Sequence, residues 1–194
     1  MNRHAQKPKI KVAKTRDLRM YVEMWDGSAA LLRRAQSDAI GSDWVRMSAL
    51  LLTAFTFESY LNHIGPKLFK SWKVLESLGP LEKLEVVCER LKLSFPRGER
   101  PAQSIVTLFK FRNALAHGKN ETLEASVIRD NTEGLDVFLG EPLKARWEKQ
   151  ISHANVERVR GDVEKIIRKL HGVADPEGDS VFSPGLTGGY SKII

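Results

Sequence analysis

Residues 109–119 read FKFRNALAHGK. An apolar run carries Arg112 in its middle and closes on His117. A histidine titrates near neutrality and can move protons. An arginine presents planar donors that hold an anion and stabilise developing charge. The two could be the reactive pair of a site. The plainer alternative is a helix end with ordinary polar trimming.

Spacing separates the two residues. Ile105, Leu108, Phe109, Leu115 and Ala116 define the expected buried stripe of this helix. Arg112 is four residues after Leu108 and three after Phe109, so it lies on that stripe. A charge facing a core is costly unless paired. Its stem can pack while its head reaches out, but the head needs an acceptor. Glu58 is the candidate. It lies on the stripe Leu51, Ala54, Leu61 of a helix with hardly any polar face, and Asn62 projects from the same side. A Glu58–Arg112 pair is therefore expected, either to orient two core helices or to serve a site. His117 points roughly 140° away from Arg112 around an ideal helix. It shares a face with Val106, Lys110 and Asn113, and Gly118 reads as the C′ residue that ends the helix. A histidine at such a C-terminus also interacts well with the helix dipole.

The elements that must position these groups are helical. The apolar spacing predicts a helix over 17–40, locally weakened by Gly27. GSD at 41–43 offers Ser42 as an N-cap. A second helix, over 43–64, is apolar almost all round and should be central. Pro66 and Pro80 each fit the first position of a further helix, over 66–78 and from 80 onward. FPRGERP at 95–101 reads as a loop, and the helix that carries Arg112 runs from Pro101 to Gly118. Two β-prone runs flank DNTEG within 125–139, which predicts a small hairpin. Pro142 would start a helix to about 151, and a last helix covers 155–170. Asp38 and Asp43 read as caps, and Trp25, Trp44, Trp72 and Trp147 as core. His63, His153 and His171 show no metal-like spacing. The predicted fold is an all-α antiparallel bundle of about five to six helices with a possible small β-hairpin insert.

Charge is unevenly placed. Residues 1–19 hold seven Lys/Arg and one acid, and the other 175 hold 24 basic and 23 acidic side chains. The expected organisation is a basic flexible arm over 1–16, a bundle over 17–171 and a Gly-rich tail over 172–194. The arm is either solvated or tracks phosphates. The single Cys88 excludes an intramolecular disulfide and fits a reducing cytosol. The basic start lacks an apolar signal region, and the longest apolar run is too short for a membrane span. A cytoplasmic protein without membrane contact is expected.

RNALAHG ends an apolar helix in the second half of the chain, and FESYLN places Glu58 and Asn62 upstream. With the PLEKLE segment between them, these stretches resemble the HEPN superfamily of helical domains, over about residues 17–170. The resemblance implies a metal-independent endoribonuclease needing no cofactor, often a toxin or defence effector, active as a homodimer. It would make Arg112 and His117 catalytic, with Asn113 and Glu58 assisting. Lys110 and Lys119 would help bind RNA, and a separate antitoxin or partner protein is possible. In such a reaction the RNA 2′-hydroxyl attacks the adjacent phosphate, His117 moves protons and Arg112 stabilises charge. The family also holds non-catalytic interaction modules, and the nearly neutral body fits that alternative.

Overall fold

The computed structural model describes residues 10–37, 40–126, 132, 134, 139–140 and 142–193. It is an all-α bundle with one small antiparallel sheet. The chain runs β1 (Ile10–Arg16), α1 (Met20–Ser37), α2 (Ser42–Leu68), α3 (Trp72–Leu75), α4 (Pro80–Leu91), α5 (Ala102–Ala116), α6 (His153–Ala174) and β2 (Thr187–Ile193). No described helix is long and apolar enough to cross a membrane.

The apolar circumference of α2 makes it the axis of the fold. It touches α1, α3, α4, α5 and α6, and Phe57, Tyr60, Leu61 and Ile64 are fully buried on it. Small residues draw α1 against it. A Cβ on Gly27 would lie 3.2 Å from Leu52. Ser28 Oγ meets the Ala49 carbonyl at 2.7 Å and Thr53 Oγ1 at 2.8 Å. Gly27 therefore serves the crossing rather than interrupting the helix.

Several local expectations are corrected. Gly41, left-handed at φ 71°, caps α2, and Ser42 begins the helix. Pro66 does not open a new helix but sits inside α2, which continues to Leu68. The preceding Gly65 has no Cβ to collide with the proline ring, so it stays helical. The same bare Gly65 receives Trp72, since a Cβ there would lie 2.1 Å from the indole. Trp72 is buried and Trp25 and Trp147 pack at the core edge, but Trp44 is 64% exposed. No α-helix covers 142–151; the segment holds only the 3₁₀ turn Glu148–Gln150. There the Glu148 carboxylate accepts the Ala145 N–H at 2.6 Å, three residues back as in a capping box, so helical turns open only at Ala145 and end at Gln150. Most of the predicted hairpin over 125–139, and the Asp38 cap, lie outside the described residues.

The sheet instead joins the chain's two end segments. β1 pairs antiparallel with β2, from Ile10 opposite Ile193 to Arg16 opposite Thr187. Its base is fastened to the bundle. Asp17 N–H donates to Leu186 O at 2.9 Å, and Arg19 pairs with Asp179 at 2.7 Å. Phe182 stacks on Trp25 with centroids 4.8 Å apart. The Trp25 ring also lies 3.8 Å from the Arg160 guanidinium.

A buried carboxylate fixes α5 to α6. Asp162, 1% exposed, accepts from Arg100 at 2.7 and 2.9 Å and from Ser104 Oγ at 2.6 Å. Burial alone would raise its pKa, but the bonds from Arg100 and Ser104 and the charges of Arg100 and Lys165 hold it below the usual carboxylate value. A folded-state pKa below the unfolded value of about 3.9 means that its stabilisation is complete above that pH. It is lost as pH falls through the folded value. Asp162→Asn is expected to cost about 2 kcal/mol at neutral pH. Urea unfolding should show that deficit narrowing below about pH 4, where the unfolded-state carboxyl protonates. A deficit unchanged down to pH 2 would contradict the assignment.

Candidate functional site

Three helices bring their polar exceptions to one place. α2 supplies Glu58 and Asn62, α4 supplies Lys83, and α5 supplies Arg112 and Asn113. Arg112 Nη2 donates to Glu58 Oε2 at 2.8 Å and Nη1 to Asn113 Oδ1 at 3.0 Å. The guanidinium stands 5.5 Å from the Phe109 ring. Its Nε is buried and makes no hydrogen bond. The expected Glu58–Arg112 pair is thus present, half-buried, with side-chain exposures of 28% and 22%.

Lys83 completes the cluster and was not anticipated from the sequence. It is 3% exposed. Its ammonium donates to Asn62 Oδ1 at 3.0 Å and lies 3.9 Å from Glu58 Oε1. The signal was available. Lys83 precedes Val87 by one helical turn, on the buried stripe of α4. Among the described residues, two cations here face one carboxylate, an excess of one positive charge at a half-open spot.

His117 lies elsewhere on the same helix. The last turn of α5 runs out past the core, so Ala116 is exposed and Leu115 only half-buried, unlike the expected stripe. His117 is the C-cap, with φ −118° and its N–H donating to Asn113 O at 2.9 Å. Gly118 follows at C′ as expected, but without the left-handed conformation that such a glycine often takes. The imidazole is exposed, and among the described residues no hydrogen bond or ion pair engages it. Lys110 and Lys119 are exposed as well. Within one chain, then, Glu58, Asn62, Arg112 and Asn113 are brought together with Lys83. No bond links Arg112 to His117.

No family model, curated protein or solved structure matches the chain.

A second feature is separate from this cluster. A cleft of about 320 Å³ between α4 and α5 is lined by Leu81, Leu84, Cys88, Leu93, Phe95 and Val106 among others, and none of the candidate residues borders it. Burial and the nearby Glu85 raise the Cys88 thiol to about 11, so it stays protonated and is a poor nucleophile. Among the described residues, no three His, Cys, Asp or Glu side chains group as metal ligands. His153 meets Gln36 at 2.8 Å and Glu157 at 3.1 Å, and His171 meets the Asp179 carbonyl at 3.0 Å.

If Glu58 anchors both cations, its removal leaves two charges without an acid. Glu58→Ala is expected to cost about 2 kcal/mol, less than for a fully buried pair because the site is half-open. A double-mutant cycle between Glu58→Ala and Arg112→Ala, read by urea denaturation, should give a coupling of about 1 kcal/mol or more. Additive losses would show that the pair carries no net interaction.

Proposed function

We propose that the chain is a HEPN-like, metal-independent endoribonuclease that works as a homodimer in the cytoplasm. The observation that carries this reading is the fixed, half-open Arg112, held by Glu58 and Asn113 beside Lys83. The local excess of positive charge suits a phosphodiester. A guanidinium has five N–H donors, and the two bonds to Glu58 and Asn113 leave others for phosphate oxygens. His117, exposed at the helix end, would exchange protons with the 2′-hydroxyl and the leaving oxygen.

A second copy would supply the missing proximity. The face of α2 that leads to Glu58 runs Trp44, Ser48, Leu51, Phe55, Glu58, Asn62, a four–three repeat like a coiled-coil seam. Trp44 is 64% and Phe55 39% exposed along it. These exposed apolar side chains support the homodimer reading, and packing two such faces would let His117 of one chain approach Arg112 of the other. A toxin or defence role with a separate antitoxin rests on the family resemblance alone.

A specific observation favours the alternative, a non-catalytic HEPN-like interaction module. Both terminal nitrogens of Arg112 are already engaged within the chain, as in a contact that merely orients helices. Cleavage of mixed RNA in EDTA separates the two readings. Arg112→Ala and His117→Ala should each lower the rate by about a hundredfold or more. Mixing the two inactive variants should restore roughly a quarter of the wild-type rate, because half of the dimers carry one intact composite site. No cleavage by the wild type would favour the interaction module, and equal cleavage by all variants would mean a contaminating nuclease.

A further inference from the structure

The β1–β2 ribbon has a composition that nothing in the bundle requires. Its fourteen residues include no acid, and all but Ala13 of those whose burial is described are exposed. A lone two-stranded ribbon is marginal in water. This one also sets Lys11 opposite Lys192, and like charges directly opposite are destabilising. Arg16 is compensated by Glu23. Among the described residues, no carboxylate pairs with Lys11 or Lys192.

Strand alternation sorts the side chains. One face carries Lys11, Ala13 and Thr15 from β1 and Lys192, Tyr190 and Gly188 from β2. Tyr190, 61% exposed, sits opposite Ala13 and diagonal to Lys11, with Lys192 two residues along its own strand. The bare Gly188 and the small Ala13 leave its ring unobstructed. The face is therefore an aromatic plate with two unpaired cations at one end. Its residues include no aliphatic side chain larger than alanine; Ile10 and Val12 belong to the opposite face.

We propose that this face is a docking surface for single-stranded nucleic acid. An unpaired base stacks on Tyr190 while Lys11 and Lys192 hold the flanking phosphates. Phosphate between the two lysines relieves their repulsion, so the arrangement that is unfavourable alone becomes favourable when bound. A duplex hides its base faces and offers the lysines alone. A membrane-binding face would carry bulky apolar groups beside Lys11 and Lys192; Ile10 and Val12 instead share the opposite face with Lys14 and Arg16, which Glu23 compensates in part. The surface lies outside the Glu58–Arg112 cluster and does not depend on cleavage.

Fluorescence anisotropy of the full chain with a labelled oligothymidylate tests this without interference from cleavage, since the probe has no 2′-hydroxyl. Tyr190→Leu keeps a β-compatible apolar side chain but removes the ring, and should weaken binding about tenfold. Lys11→Gln with Lys192→Gln should reduce the log–log salt slope by about 1.4 for a single strand. These two changes remove a repulsion, so lost binding cannot be ascribed to ribbon melting. Oligouridylate with the His117→Ala chain should behave like oligothymidylate. Binding unaffected by Tyr190→Leu would overturn the proposal. So would tighter binding of a duplex of the same length, or binding only to phosphatidylserine vesicles.

Discussion

A helix with almost no polar face has to be covered on every side, and the fold is arranged to do that for α2. α1 lies along it, α4, α5 and α6 close the remaining flanks, and α3 folds Trp72 back onto Gly65. Glu58 is one of the few charged groups on this axis, and it cannot reach bulk water freely. The covering helices answer it with Lys83 and Arg112. The candidate site is thus a product of the same constraint that builds the core. One acid in an apolar helix selects two cations on its neighbours.

That origin explains why part of the site was legible in the sequence. Arg112 and Glu58 were both charges on apolar stripes, of opposite sign, on two helices strong enough to recognise. Their pairing required only that α2 and α5 touch. Lys83 was harder to see, because α4 is short and its stripe could be drawn through Leu81, Leu84 and Val87 without it. His117 was legible only as a helix end. Its distance from Arg112 within the chain follows from helical geometry, whereas any approach across two chains depends on an interface that periodicity cannot specify.

The fold failures share a physical pattern. Proline after a pause reads as a start signal, which holds at Pro80 and Pro101 but not at Pro66 or Pro142. At Pro66 the glycine before it removes the usual steric conflict, and after Pro142 the first helical turn opens only at Ala145, where Glu148 caps it. The ribbon was missed for a different reason. Its two strands are separated by the whole bundle, and each alone reads as a basic or Gly-rich end. Gly185 is the clearest trace: a Cβ there would lie 1.8 Å from the Asp17 carbonyl. That close approach joins the two ends, and no local pattern announces it.

Charge placement ties these features together. Outside residues 1–19 the chain is almost balanced, with 24 basic and 23 acidic side chains. A balanced surface gives little long-range attraction to a polyanion. Positive excess is instead concentrated where neutralisation fails locally, at Lys83 and Arg112 around one carboxylate and at Lys11 opposite Lys192. Burial makes the first costly to abandon and therefore rigid; exposure makes the second cheap to form and screened by salt. A largely buried, ion-paired cluster keeps its cations in one geometry, and an exposed ribbon leaves its lysines free to adjust. The same charge count spread evenly over the surface would do neither as well.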